Sequence, residues 1–326
     1  MRAVVCRALG VAEELVIEDI PIPPLTPGSV RIAVAAAGIN FADTLIIAGK
    51  YQVKPPLPFS PGFEVAGRVL ECAPGVSRCA PGDRVMAIVE WGGFAEEVVA
   101  PESQVFVLPA GVTDPVAAGF PIAYGTSHLG LTYRAALAAG ETLLVHGAAG
   151  GVGLTAVEIG KRLGATVIAT ATGEEKLAIA RAAGADHVLD SRSEEMRDRV
   201  KELTGGRGAD VVYDPVGGKL FDASLRATAA GGRILLVGFA SGDVPQIPAN
   251  ILLVKNIAAI GLNWGAYRTI NPDWMRDSLE ELLRWLGEGA LRPHVSQTWP
   301  LEQAVEALAA LRARKTTGKV VLTTGR

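Results

Sequence analysis

The chain has 326 residues, 49% apolar and 20% charged, with a formal net charge of −3 and a pI near 5.9. That is enough apolar material for about two globular domains. It leaves no basic field for nucleic acid and no apolar run of about eighteen residues to span a membrane. Three cysteines, Cys6, Cys72 and Cys79, form neither a disulfide framework nor a CxxC metal pair, so a cytoplasmic protein is expected.

Residues Met1 to Arg7 place charges around a short apolar stretch and read as a first strand, not a signal peptide. Further short strands are predicted at Val30 to Ala36, Phe63 to Leu70, Arg84 to Val89 and Phe94 to Val99. Turn clusters separate them, among them Pro21 to Pro24, Pro55 to Pro58 and Pro81-Gly82-Asp83. Residues 1–120 are therefore expected to form a mainly antiparallel, barrel-like domain.

From Pro121 the pattern alternates. Strands are predicted at Leu143 to His146, Thr166 to Thr172, His187 to Asp190, Val211 to Asp214, Arg233 to Val237 and Ile257 to Ile260. Helices are predicted at Val152 to Leu163, Glu174 to Ala183, Ser193 to Leu203 and Leu220 to Ala227. Such alternation implies an α/β, doubly wound parallel sheet covered on both faces, over 121–261. Beyond it, helices at Asp273 to Leu286 and Leu301 to Arg314 and a strand at Lys319 to Leu322 make 262–326 a segment returning to the first domain. A ligand cleft between the two domains is expected.

The most informative stretch is Gly140 to Gly153, a short apolar strand, a glycine-rich turn and a helix opening at Val152. Such a turn brings bare backbone N–H groups, at the positive end of a helix dipole, close to an anion. A second strand about twenty residues on supplies the context that a dinucleotide site requires. A tight strand-to-helix turn without a ligand is the alternative.

Gly140-Glu141, Leu144 and Ala148-Ala149-Gly150-Gly151-Val152-Gly153 resemble the signature of the quinone oxidoreductases (zeta-crystallin group) of the medium-chain dehydrogenase/reductase superfamily. The segments Gly38 to Asp43, Pro61 to Gly67, Gly82 to Val85 and Thr317 to Val321 are similar to that family in matching order, so the resemblance covers essentially the whole chain. It implies a Rossmann sheet inserted in a GroES-like, mainly antiparallel catalytic domain. One departure is Glu158, where the family usually has Gln; that position is expected to face packing or solvent.

The turn itself places Ala149, Gly150, Gly151 and Val152 at a pyrophosphate. NAD-selective folds put an acid at the end of the second strand; against the superfamily pattern that position is Ala171 here, in a strand ending Thr172-Gly173. The resemblance puts Lys176, Ser191 and Arg192 around the 2′-phosphate of NADPH, although a solvated surface lysine is an equal reading of Lys176. Glu174 and Glu175 suit the first turn of a helix. Gly238 and Phe239 resemble the family segment beside the nicotinamide carboxamide.

Zinc alcohol dehydrogenases share the superfamily. Where they carry the first zinc-binding cysteine this chain has Asn40, and where they carry the His of Gly-His-Glu it has Phe63. The cysteine lobe for structural zinc is missing, so no metal is expected. Without a metal, an acceptor that is already electron-poor suits the site better than an alcohol.

The resemblance places Asn40, Asp43 and Tyr51 over the nicotinamide, and Tyr124 and Thr126 at the mouth of the cleft. Asn40 and Tyr51 can donate to a developing oxyanion, and Thr126 to the nicotinamide amide or the substrate. Asp43 reads better as an orienting residue. Leu45 replaces a tyrosine found in several relatives and favours a less polar acceptor. His146 reads as a core residue; His128, His187 and His294 lack a second ligand at metal spacing, and a general acid at His128 is the weaker reading. The apolar stretch Leu252 to Leu262 holds the sixth strand at a sheet edge, where relatives pair across a twofold axis, so a homodimer is expected. The functions weighed are an NADPH:quinone oxidoreductase, an NADPH-dependent enoyl reductase, and a non-catalytic NADPH-binding protein of crystallin type.

Overall fold

The computed structural model describes residues 1–193 and 195–325. They divide into two compact units, Met1–Ile122 with Leu283–Arg326, and Ala123–Leu282.

In the first unit β1 (Arg2–Val5) and β2 (Val16–Asp19) form a two-stranded antiparallel ribbon. The chain continues through β3 (Ser29–Ile39), α1 (Phe41–Ile47), β4 (Glu64–Cys72), β5 (Arg84–Ile88), β6 (Glu97–Pro101), β7 (Val105–Val107) and α2 (Asp114–Ala118). Strand β3 is the spine of this unit and pairs antiparallel with both β4 and β6. Its alternate residues Val30, Ile32 and Val34 are fully buried, as the period of two demands.

Next come α3 (Pro121–Leu129), one π-helical turn at Gly130–Arg134, β8 (Thr142–Val145), α4 (Gly151–Arg162), β9 (Thr166–Ala171), α5 (Glu174–Ala182) and β10 (His187–Asp190). They are followed by α6 (Met196–Leu203), β11 (Ala209–Asp214), α7 (Gly218–Ala227), β12 (Thr228–Leu236), α8 (Ala249–Lys255), β13 (Ala258–Gly261), α9 (Tyr267–Ile270) and α10 (Pro272–Gly287). Glu194, inside the helix predicted from Ser193, lies outside the described residues. The six strands are all parallel, in the order β10-β9-β8-β11-β12-β13. Leu143, Leu144, Val145, Val211 and Val212 are fully buried, which is why the central strands read as continuous apolar runs.

The sixth strand, predicted at Ile257 to Ile260, forms at Ala258–Gly261, and the apolar residues Leu252 to Lys255 ahead of it are helical. Pro248 caps that helix, Asn256 ends it in the left-handed region (φ 54°), and the Lys255 ammonium donates to the carbonyls of Leu225 and Thr228 at 2.8 and 2.6 Å. A short apolar run cannot by itself distinguish a strand from a helix whose outward face is apolar. Residues 262–282, expected in the returning segment, lie in the second unit. Trp264 packs so closely on Gly125 that a Cβ there would stand 2.5 Å from its ring, and Trp274 stacks between Tyr133 and Tyr267 at 5.0 and 6.0 Å.

The chain then re-enters the first unit as β14 (Val295–Pro300), α11 (Ala304–Arg312) and β15 (Lys319–Thr323). The larger sheet has the order β14-β15-β3-β4-β5-β7, with β6 added on β3. β15 lies antiparallel to β3 with Val320 opposite Ile39. Among the described residues no helix is long and apolar enough to cross a membrane.

Candidate functional site

The candidate residues fall into two groups, one in each unit. In the second unit β8 turns at Gly147 (φ 58°) into Gly150, the cap of α4. A Cβ on Gly153 would stand 2.2 Å from the Gly147 carbonyl oxygen, so only glycine lets the helix pack this tightly on the turn. Gly150 is exposed, and a Cβ there would meet the Gly147 oxygen at 3.3 Å. Ala149 is buried behind it, and Gly151 and Val152 open the helix. Their N–H groups have no intrahelical acceptor and sit at the positive end of the dipole. Hydroxyls hold the turn from behind. Ser127 Oγ donates to the Val152 carbonyl at 2.9 Å, and Thr155 Oγ1 donates to the Ala123 carbonyl at 3.0 Å. An open backbone cradle of this kind fits a pyrophosphate.

At the ends of β9 and β10, Thr172 Oγ1 lies 2.8 Å from Ser191 Oγ, and Gly173 (φ 83°) borders open space. Arg192 is folded onto its own strand end. Its Nε and Nη2 donate to Asp190 at 2.9 and 2.6 Å, and its backbone N–H donates at 2.9 Å. The guanidinium holds the Asp190 carboxyl well below the usual carboxylate range. Lys176 lies in the first turn of α5, and Glu174 in that turn accepts from Arg181. Gly238 follows β12 with the Pro215 carbonyl 3.4 Å from where its Cβ would be, and Phe239 is partly exposed beside Gly217.

Tyr124 and Thr126 lie on α3 and are buried. The Tyr124 hydroxyl donates to the Glu158 carboxylate, and burial next to that charge pushes the phenol up. Glu158 therefore holds a buried hydroxyl, a role that reading it as simple packing or solvent surface missed.

In the first unit a polar cluster forms where α1, β4 and β15 meet. Asp43 is fully buried; its carboxylate accepts from Asn40 N at 2.7 Å and Gly62 N at 3.1 Å. Desolvation pushes its pKa up to about 7, against the two backbone donors and Lys319. The Lys319 ammonium donates to Ile39 O at 2.9 Å, Asn40 Oδ1 at 2.7 Å and Glu64 Oε1 at 2.8 Å. Glu64 also accepts from Asn40 Nδ2 at 2.8 Å and from Ile122 N at 2.9 Å. Because an ammonium only donates, it fixes which way round the Asn40 amide stands. Tyr51 packs on Phe63 with ring centroids 5.5 Å apart.

Glu64 and Lys319 lie within two segments that carry the family resemblance, Pro61 to Gly67 and Thr317 to Val321, but their joint hold on Asn40 cannot be read from the chain. The same cluster bears on zinc. A cation already sits between the Asn40 oxygen and Glu64, Phe63 offers no ligand atom, and no group of three or more His, Cys, Asp or Glu able to hold a metal occurs among the described residues. These residues do not fit a zinc site.

The histidines behave as structure. His146 is buried between Thr170 (2.9 Å) and Ser224 (2.6 Å), and burial lowers its pKa. His128 bonds Ser278 at 2.8 Å, and burial pushes it down to about 4, which disfavours its use as an acid near neutrality.

Residues 26–110 match the alcohol dehydrogenase GroES-like domain, and residues 151–287 match the zinc-binding dehydrogenase family. A quinone oxidoreductase-like protein 2 homolog from Nematostella vectensis is 43% identical over 326 residues, covering 99% of this chain and 89% of that one. Among solved structures, a mycobacterial protein complexed with NADPH superposes with a TM-score of 0.93 at 36% identity, over 99% of this chain and 100% of that one. Escherichia coli quinone oxidoreductase complexed with NADPH gives 0.92 at 30% identity, over 99% and 100%. With both domain models matched in order and 43% identity over nearly the whole chain to such a relative, the chain belongs to the quinone oxidoreductase-like group of the medium-chain dehydrogenase/reductase superfamily of oxidoreductases.

Proposed function

We propose that this protein is an NADPH-dependent oxidoreductase that reduces a quinone or similarly electron-poor acceptor without zinc. The observation that carries the reading is the open glycine turn at the head of α4, next to a second strand that ends in Ala171 instead of an acid. Ala149, Gly150, Gly151 and Val152 would hold the pyrophosphate. Thr172, Gly173, Lys176, Ser191 and Arg192 would hold the adenosine ribose and its 2′-phosphate. Gly238, Phe239 and Tyr124 would border the nicotinamide, Tyr124 through its ring because its hydroxyl is held by Glu158. When bound, NADPH supplies a hydride.

Asn40 is set up as a donor. Its oxygen is taken by Lys319, one amide hydrogen goes to Glu64, and the other has only a long 3.4 Å contact with Gly38 O. That second hydrogen can meet an acceptor oxygen as charge develops on it, and the Tyr51 hydroxyl can add to it; Thr126, in the second unit, would contact the nicotinamide amide. Asp43 acts through Asn40, by fixing the backbone at the start of α1. The two relatives whose structures hold NADPH support the cofactor. The names of the relatives support the acceptor class.

A homodimer is part of the proposal. Leu253 and Val254, each 76% exposed, stand on α8, which precedes the edge strand β13 in the chain, and exposed apolar residues together with an unpaired strand edge favour association. Leu253→Glu should then sediment as a monomer while the parent sediments as a dimer.

NADPH oxidation tests the function with 1,4-benzoquinone and 9,10-phenanthrenequinone against a crotonyl or acrylyl acceptor, in the presence of a chelator. Turnover with the quinones supports the proposal. Turnover with the conjugated alkenes alone would move the assignment to an enoyl reductase, and tight NADPH binding without any turnover would mean a non-catalytic protein.

A further inference from the structure

We propose that Asp190 is a specificity-determining residue that restrains the preference for NADPH and keeps NADH usable. The inference rests on the NADPH reading above and refines it. In the superfamily pattern the selective acid belongs at the end of the second strand, where this chain has Ala171. In the parallel pairing of β9 with β10, Asp190 is the residue directly opposite Ala171. The carboxylate is thus moved one strand over, a lateral step of about 4.8 Å.

From there it reaches back to the same ground. Asp190 Oδ2 lies 3.4 Å from the Gly173 N–H, and Ser191 N donates to Ala171 O at 2.9 Å, so the two strand ends form one continuous surface. The carboxylate also occupies Arg192 through both Nε and Nη2. A 2′-phosphate arriving at Thr172, Gly173 and Ser191 must draw the guanidinium away from Asp190, and it meets a like charge there. A 2′-hydroxyl meets an acceptor instead. Arg192 is 69% exposed, and ion pairs in that setting hold weakly, so the phosphate can still recruit it. The preference for NADPH is lowered by this arrangement without being reversed.

The test is calorimetric titration of NADPH and NADH into the parent protein, Asp190→Asn, Asp190→Ser and Asp190→Asn/Arg192→Ala, with the melting temperature of each recorded. Both single variants should raise the NADPH-to-NADH affinity ratio by roughly twofold to fivefold, the scale of one exposed charge contact. The gain should shrink in the double variant, because Arg192 is the group released and only the relief of the like charge remains. Two folded single variants with an unchanged or lowered ratio, while the parent binds NADPH, would overturn this inference and leave the proposed function standing. Failure of the parent to bind either nucleotide would overturn both. Asp190→Ser keeps a short oxygen acceptor for the Arg192 backbone N–H, so misfolding of one variant does not remove the measurement.

Discussion

Around Asn40 the chain buries three polar side chains, Asp43, Glu64 and Lys319, and ties them to Asn40 and to main-chain groups, whereas at Gly147–Gly153 it keeps side chains away and presents backbone. In the first region Asp43 and Glu64 are fully buried and Lys319 nearly so, and their charges are balanced by an ammonium and main-chain groups. In the second, shape comes from places where a Cβ would collide or would block open space. The contrast teaches that the two regions fail differently. Removing a partner from the first leaves a charge without water, and adding an atom to the second deforms a backbone.

The largest effect should come from Lys319→Met. It strips Glu64 and the Asn40 oxygen of a common buried partner and should cost about 3–5 kcal/mol in urea unfolding, the usual scale for an orphaned buried charge. A midpoint close to that of the parent would mean that the cluster relaxes or admits water.

Asp43 sharpens the comparison through pH. Its folded pKa of about 7 lies above that of an unfolded aspartate, so the folded form binds more protons between about pH 4 and pH 7. Its contribution to stability is therefore complete below pH 4 and is lost as pH rises through 7, with a slope of up to about 1.4 kcal/mol per pH unit. Asp43→Asn should flatten that part of the stability–pH profile; an identical slope in both proteins would show that another group is titrating.

On the backbone side, Gly153→Ala places a methyl group 2.2 Å from the Gly147 oxygen. It should cost about 1–3 kcal/mol, as overpacking does, and weaken NADPH binding more than Lys319→Met does in whatever fraction remains folded. Equal binding by Gly153→Ala and the parent would separate the turn from the cofactor.

The smallest effect should be Glu158→Gln, which restores the residue usual in the family and keeps an oxygen acceptor for Tyr124. A change within about 1 kcal/mol in thermal unfolding is expected, with a larger loss for Glu158→Ala because the buried phenol then lacks its partner.

Most of the second unit was legible in advance. The strand–glycine–helix fingerprint, the alternation of elements and the sixfold parallel sheet follow from patterns within a few dozen residues. The helix Ala249–Lys255 ahead of the sixth strand could not be read in advance, because apolar residues turned outward on a helix look like a buried strand. The partnership of Tyr124 with Glu158 was hidden for another reason. It joins two helices 34 residues apart, and nothing in either helix names its partner.

The amino-acid order by itself determined the two kinds of sheet, the strand–glycine–helix turn and the family, because these depend on short-range periodicity and on where glycine alone fits. Only the tertiary structure decided that Lys319, 279 residues beyond Asn40, supplies the cation at Asn40 and Glu64, since that follows from β15 closing against β3. It also decided that Asp190 stands opposite Ala171, because strand register is a property of the pair and cannot be read from either strand alone.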